Sequence, residues 1–231
     1  MSHDEHDSLI VALGVPISPE LLELALTHRS FAYEHGGVPH NERLEFLGDS
    51  VLGLAVTEKL YRDNPDLPEG SLAKMRASVV STVALAVVAR RIGLGEHIRL
   101  GRGEELTGGR DKSSILADTT EALFGAVFLD SGPEVAKDLV LRLVSPLIGE
   151  IDRFGATMDP KTSLQEAAAA LGGPAPTYTV SASGPDHSRT FVARVSVGTL
   201  VTAEGTGTSK KHAEMAAALS AWTELDARSS R

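Results

Sequence analysis

The stretch "NERLEFLGDS", residues 41–50, holds Glu42, Glu45 and Asp49. On a helix turning about 100° per residue these acids fall within roughly 60° of one another. No lysine shares their stripe, so they repel, weakly on an exposed helix and more strongly when half-buried. A second stretch, "ILADTTEAL" (115–123), sets Asp118 and Glu121 on one face, with Gly125 following. For any single acid a solvated face is the simpler explanation. Two acid clusters inside strongly apolar helices argue otherwise, because a charge gathered there must be paired or bind a cation. Neither helix offers the Glu-x-x-His pattern of a di-iron site. An all-oxygen donor set favours Mg²⁺ or Mn²⁺. Such ions serve phosphoryl chemistry, generating a hydroxide nucleophile and stabilising the leaving oxygen.

The elements that must position these acids read as helices throughout residues 1 to about 150. Ser18 and Pro19 open one helix as N-cap and first helical residue. The run from Glu42 to about Arg62 keeps a helical period, with Leu44, Leu47, Val51 and Leu54 as its buried row. Gly53 and Val56 continue the acid stripe, which implies that protein covers this side too. A single helix is expected from Ser71 through "LAKMRASVVSTVALAVVARR", then a loop with six glycines (93–114), then helices over 115–132 and from Pro133. A glycine on each acid-bearing helix would let the two approach closely. After "RFGATMDP" the pattern changes: "PTYTVSAS", "TFVARVSV" and "LVTAEGTG" alternate as strands do, between the helices "TSLQEAAAALGG" and "TSKKHAEMAAALSAWTEL". The order is α-β-β-β-α.

At this point the residues resemble a family. "HNERLEFLGDSVL" is similar to the signature of ribonuclease III, the double-stranded-RNA endonucleases, and the likeness extends through "LALTHRSFAYEH", "PEGSLAKMRASVVS" and "GRGEELTGGRDKSSILADTTEALFGAVFLD". The resemblance implies an all-α N-terminal endonuclease domain over 1–153, a linker over 154–159, and a small α+β double-stranded-RNA-binding domain over 160–228. It places metal ligands at Glu45, Asp49, Asp118 and Glu121, of which Asp49 and Glu121 are catalytic, and acids near the scissile strand at Glu42 and Glu69. No matched acid is replaced. It also implies a homodimer cutting both strands to 5′-phosphate and 3′-hydroxyl ends, with ribosomal and messenger RNA precursors as substrates. Phe46, beside Glu45, is a candidate dimer contact.

In the tail, Lys210 and Lys211 open the last helix, where side-chain charge and the helix N-terminus both favour phosphate. Thr162, Gln165 and Glu166 on the preceding helix are suited to 2′-hydroxyls, as readers of A-form RNA require. The loop "GPDHSRTF" resembles the family loop whose histidine, here His187, enters a minor groove.

Composition bounds the alternatives. The net charge is −9, with 15 basic and 24 acidic residues before Met158 and seven of each after it, so the tail is neutral where such domains are usually basic. There are no cysteines, which excludes disulfides and thiolate metal sites. The N-terminus lacks the basic start and apolar run of a signal peptide, and "VVSTVALAVVA" is too short to span a bilayer. A cytoplasmic protein without membrane association is expected. "LGRGEELTGGRD" lacks the GK[ST] and preceding strand of a phosphate loop, so no nucleotide cofactor is expected, and Arg110 and Lys112 are placed near RNA. His28 in "THRS" is read as a structural hydrogen-bonding residue. The rival functions are a non-catalytic double-stranded-RNA-binding protein and a phosphohydrolase of small nucleotides. The first predicts gaps among the acids, and the second leaves the tail without a purpose.

Overall fold

The structure is a computed structural model and describes residues 6–148, 156, 159–184 and 189–229. The chain divides into two compact units, Met1–Ile151 and Asp152–Arg231. His187 and most of the stretch read as a linker lie outside the described residues. Ala156, within that stretch, is buried in the core of the second unit.

The first unit is helical: α1 (Asp7–Leu13), α2 (Pro19–Leu26), α3 (Arg29–Glu34), α4 (Glu42–Asp63), α5 (Glu69–Val79), α6 (Thr82–Arg91), α7 (Arg102–Leu106), α8 (Ser113–Ser131) and α9 (Pro133–Ile148). Helix α8 is the hub. It is buried along its length from Ile115 to Val127 and packs against α2, α4, α6 and α9. Such all-round burial follows from a stretch that is apolar on nearly every side apart from Asp118, Glu121 and the two threonines between them.

Four details differ from the sequence expectations. The stretch 93–114, expected as a glycine-rich loop, holds the short helix α7 and 3₁₀ turns at Leu94–His97 and Gly109–Asp111. Ser18 holds the N-cap position of α2, yet its side chain makes no capping bond; its N–H donates to Asp130 Oδ2 at 3.1 Å. The helix expected from Ser71 to Arg91 is two, because Ser81 Oγ accepts the Ala84 N–H at 3.2 Å and restarts the chain as α6. On α4, Leu54 is not in the buried row but 72% exposed, whereas Leu52, Ala55, Val56 and Leu60 are buried. The buried arc is turned towards the acids, because α8 seats on that side of the helix. This leaves an apolar stripe of Phe46 (80% exposed), Leu54 and Tyr61 facing outwards. Beside it lies a groove of about 370 Å³ lined by Leu60, Tyr61, Leu67, Leu72 and Ala73.

No single helix among the described residues is long and apolar enough to cross a membrane. Helices α5 and α6 reach that length and composition only as a pair bent by 45°.

The second unit is a three-stranded antiparallel sheet, β1 (Thr177–Ser183), β2 (Thr190–Val197) and β3 (Val201–Gly207) in that order, with α10 (Pro160–Ala170) and α11 (Lys210–Ser229). Its core joins Leu164 and Ala168 of α10, Ala193, Val195 and Val197 of β2, and Ala213, Ala217, Ala221, Trp222 and Leu225 of α11. Strand β3 lies flush on α11 through its glycines. A Cβ on Gly205 would come within 2.1 Å of Ala217 N, and one on Gly207 within 2.6 Å of Ala213 N.

Candidate active site

Helices α4 and α8 cross in backbone contact. A Cβ on Gly48 would stand 1.7 Å from the carbonyl oxygen of Glu121, and one on Gly125 would stand 2.3 Å from that of Leu44. Gly48, not Gly53, is the glycine on α4 that permits the crossing; Gly53 faces open space. The crossing carries the chemistry with it, since Glu45 and Asp49 flank Gly48, and Asp118 and Glu121 precede Gly125.

Carboxylate oxygens of Glu45, Asp118 and Glu121, all half-buried, lie within 4.8 Å of one another. Burial and neighbouring acids work against ionisation in all three. Burial, then the charges of Asp49, Asp118 and Glu45, push Glu121 up to about 8. Burial and then Asp118 raise Glu45, and burial raises Asp118. Asp49 is exposed and stands outside the trio, yet it is the largest of the charges acting on Glu121. An oxygen-only set with this much uncompensated charge suits a hard divalent cation.

A cleft of about 490 Å³ adjoins the trio, lined by His28, Arg29, Asn41, Glu42, Glu45, Glu104, Lys112, Ser114 and Asp118 among others. Glu42 faces Arg29, with Oε1 3.3 Å from Nη1. Lys112 is held by Glu104 and by Thr107 Oγ1 at 2.8 Å. Arg110 is a structural clamp: its guanidinium donates to the carbonyls of Gly95, Glu96 and Ile98 and to Glu105. Glu69 opens α5 beside the apolar groove and does not reach the acid cleft within one chain.

Asn41 was not singled out from the sequence. It is 2% exposed; its Nδ2 donates to Ala25 O at 3.2 Å and contacts Thr119 Oγ1 at 3.5 Å, while its N–H donates to Thr27 O at 2.9 Å. One residue thus ties the end of α2 and the start of α4 to the turn of α8 between Asp118 and Glu121. The only local signal was an uncharged amide heading a run of charges.

In the second unit, Thr162, Gln165 and Glu166 are exposed on one face of α10, whose start is capped by Asp159 Oδ1 accepting the Thr162 N–H at 3.2 Å. Lys210 and Lys211 are exposed in the first turn of α11, and Ser209 Oγ caps that helix by accepting the His212 N–H at 3.2 Å. Lys161 is engaged by Glu214 and lies 4.6 Å from the centre of the Tyr178 ring.

A helical unit with crossed acid-bearing helices, joined to an α-β-β-β-α unit with exposed lysines at a helix start, defines a class of RNA-directed nuclease. Residues 18–147 match the family described as Ribonuclease-III-like, and residues 160–225 match the double-stranded RNA binding motif. The chain is 69% identical over 221 residues to Ribonuclease 3 of Leifsonia xyli subsp. xyli, covering 96% of this chain and 93% of that one. It is 57% identical to Ribonuclease 3 of Mycobacterium tuberculosis, covering 94% and 92%. The nuclease domain of ribonuclease III from Campylobacter jejuni superposes with a TM-score of 0.58 at 41% identity, over 61% of this chain and 96% of that domain. The chain belongs to the ribonuclease III family and is a double-stranded-RNA endoribonuclease.

Proposed function

We propose that this endoribonuclease requires Mg²⁺, with Mn²⁺ able to substitute, and that it works as a cytoplasmic homodimer on ribosomal and messenger RNA precursors. The observation that carries the metal requirement is the carboxylate trio of Glu45, Asp118 and Glu121, with Glu121 raised to about 8. That repulsion is relieved by a divalent cation, which the three acids and the neighbouring Asp49 would hold. A cation there would supply a deprotonated water and charge neutralisation at the leaving oxygen; with the 3′ oxygen as that leaving group, the phosphate would stay on the 5′ end. Asp49 and Glu121 are the catalytic acids in this reading, and Glu42 lies along the strand in the adjoining cleft. The outward stripe of Phe46, Leu54 and Tyr61, with its groove, supports a dimer face. Glu69 beside that groove would approach the strand from the partner copy. In the tail, Thr162, Gln165, Glu166, His187, Lys210 and Lys211 bind the duplex.

The test is cleavage of a long RNA duplex with Mg²⁺ and with EDTA, followed by labelling of the new ends. Wild type should cut only with the metal and leave 5′-phosphates. Glu121→Gln should bind the duplex and lose at least about a hundredfold in cleavage rate. Unimpaired cutting in EDTA would refute the metal assignment.

A further inference from the structure

His28 is the N-cap residue of α3, and its Nδ1 accepts the Ser30 N–H at 3.2 Å. Ser30 Oγ lies 2.8 Å from the same nitrogen and itself accepts the Gly101 N–H at 2.9 Å, which leaves its own proton for Nδ1. A nitrogen that receives a backbone N–H carries no proton, so the neutral ring must hold its proton on Nε2. The loop hydrogen bonds therefore fix the tautomer. Nε2 makes no hydrogen bond with any described residue. The ring lines the cleft that Glu42, Glu45 and Asp118 also line, and both cations of that cleft, Arg29 and Lys112, already face carboxylates.

We infer that His28 is a substrate-contacting residue, whose Nε2–H donates to a phosphate oxygen of the RNA strand lying in the cleft beside Glu45 and Asp118. This rests on the endoribonuclease reading above. It assigns the ring two separable tasks, an acceptor at Nδ1 that caps α3 and a donor at Nε2 that meets the strand. A cap alone would explain the first nitrogen and leave the second idle.

Two substitutions split the tasks. In His28→Asn the amide oxygen replaces Nδ1 as the cap acceptor, and nothing reaches the position of Nε2. In His28→Gln the longer amide restores a donor near Nε2 and gives up the cap. The two variants are measured for melting temperature and for single-turnover cleavage of a short RNA duplex in saturating Mg²⁺. His28→Asn should melt like wild type and cleave about a hundredfold more slowly; His28→Gln should melt lower and cleave at least about tenfold faster than His28→Asn. The reverse order, with His28→Asn fully active and His28→Gln impaired, would leave only the capping role and overturn the inference. A second readout is independent of cleavage. In Glu121→Gln protein labelled with ¹⁵N-histidine, adding the duplex should shift the His28 Nε2 resonance and leave Nδ1 in its unprotonated range. An unmoved Nε2 on a saturated complex overturns the contact, whereas wild type that fails to cut any duplex overturns the endoribonuclease reading instead.

Discussion

Among single residues Glu121 bears the largest strain. Its carboxyl is held at about 8, chiefly by burial and then by Asp49, Asp118 and Glu45. A carboxyl raised in the folded chain destabilises the fold once the unfolded chain can ionise. The penalty is absent below the ordinary value of 4.5, grows as pH rises, and is complete above about 8. Glu121→Gln removes it. In EDTA the variant should melt with wild type near pH 5 and increasingly above it as pH rises to 8.5. Mg²⁺ should close the gap by stabilising wild type alone. A wild type that stays the more stable of the two in EDTA at high pH would make Glu121 a structural partner. The same shift predicts that Mg²⁺ binding at pH 7 releases protons, and that the release fades above pH 9. Calorimetry in buffers of different ionisation heat measures it.

Between helices, the site depends on how closely α4 and α8 approach. Gly48→Ala would drive a methyl into the Glu121 carbonyl, against backbone that cannot swing aside. Overpacking of this kind costs about 1–3 kcal/mol, and here it also parts Glu45 from Asp118 and Glu121. The variant should lose both stability and Mg²⁺ affinity, whereas Gly53→Ala, with open space around it, should retain both. Equal behaviour of the two in thermal melts would contradict the contact. Much of this was legible in the sequence. The acids, their helices and the need for glycines followed from spacing alone, because charge and period are local properties. The choice of Gly48 over Gly53 was not, since it depends on which side α8 occupies, and that same choice turned Leu54 outwards. The break at Val80–Ser81 was passed over because Ser81 and Thr82 interrupt the apolar run for only two residues before Val83 resumes it. Asn41 was hidden because its partners, Ala25 and Thr119, lie 16 and 78 residues away.

For the molecule as a whole, the two units divide the work unequally in charge. The tail carries as many acids as bases, and Lys161 is already engaged by Glu214; in the reading proposed above its grip on phosphate would rest on few cations, Lys210 and Lys211 foremost. The first unit has its own core around α8, so a chain ended at Met158 should fold, and the stripe of Phe46, Leu54 and Tyr61 should keep it dimeric. Phe46→Asp in the full chain should lower the sedimentation coefficient towards a monomer and reduce cleavage with it; a dimer unaffected by that charge would place the interface elsewhere. Binding carried by a few lysines has a definite salt signature, because each phosphate contact releases counterions and steepens the fall of affinity with salt. The shortened chain should cut duplex RNA at low salt and fail at a lower KCl concentration than the full chain. Replacing Lys210 and Lys211 together by alanine should reduce the slope of log affinity against log salt by roughly two, one for each lysine. The measurement is duplex binding by the Glu121→Gln protein, with and without the lysine pair, across a KCl series. An unchanged slope would mean that these lysines are solvated and that other cations hold the duplex.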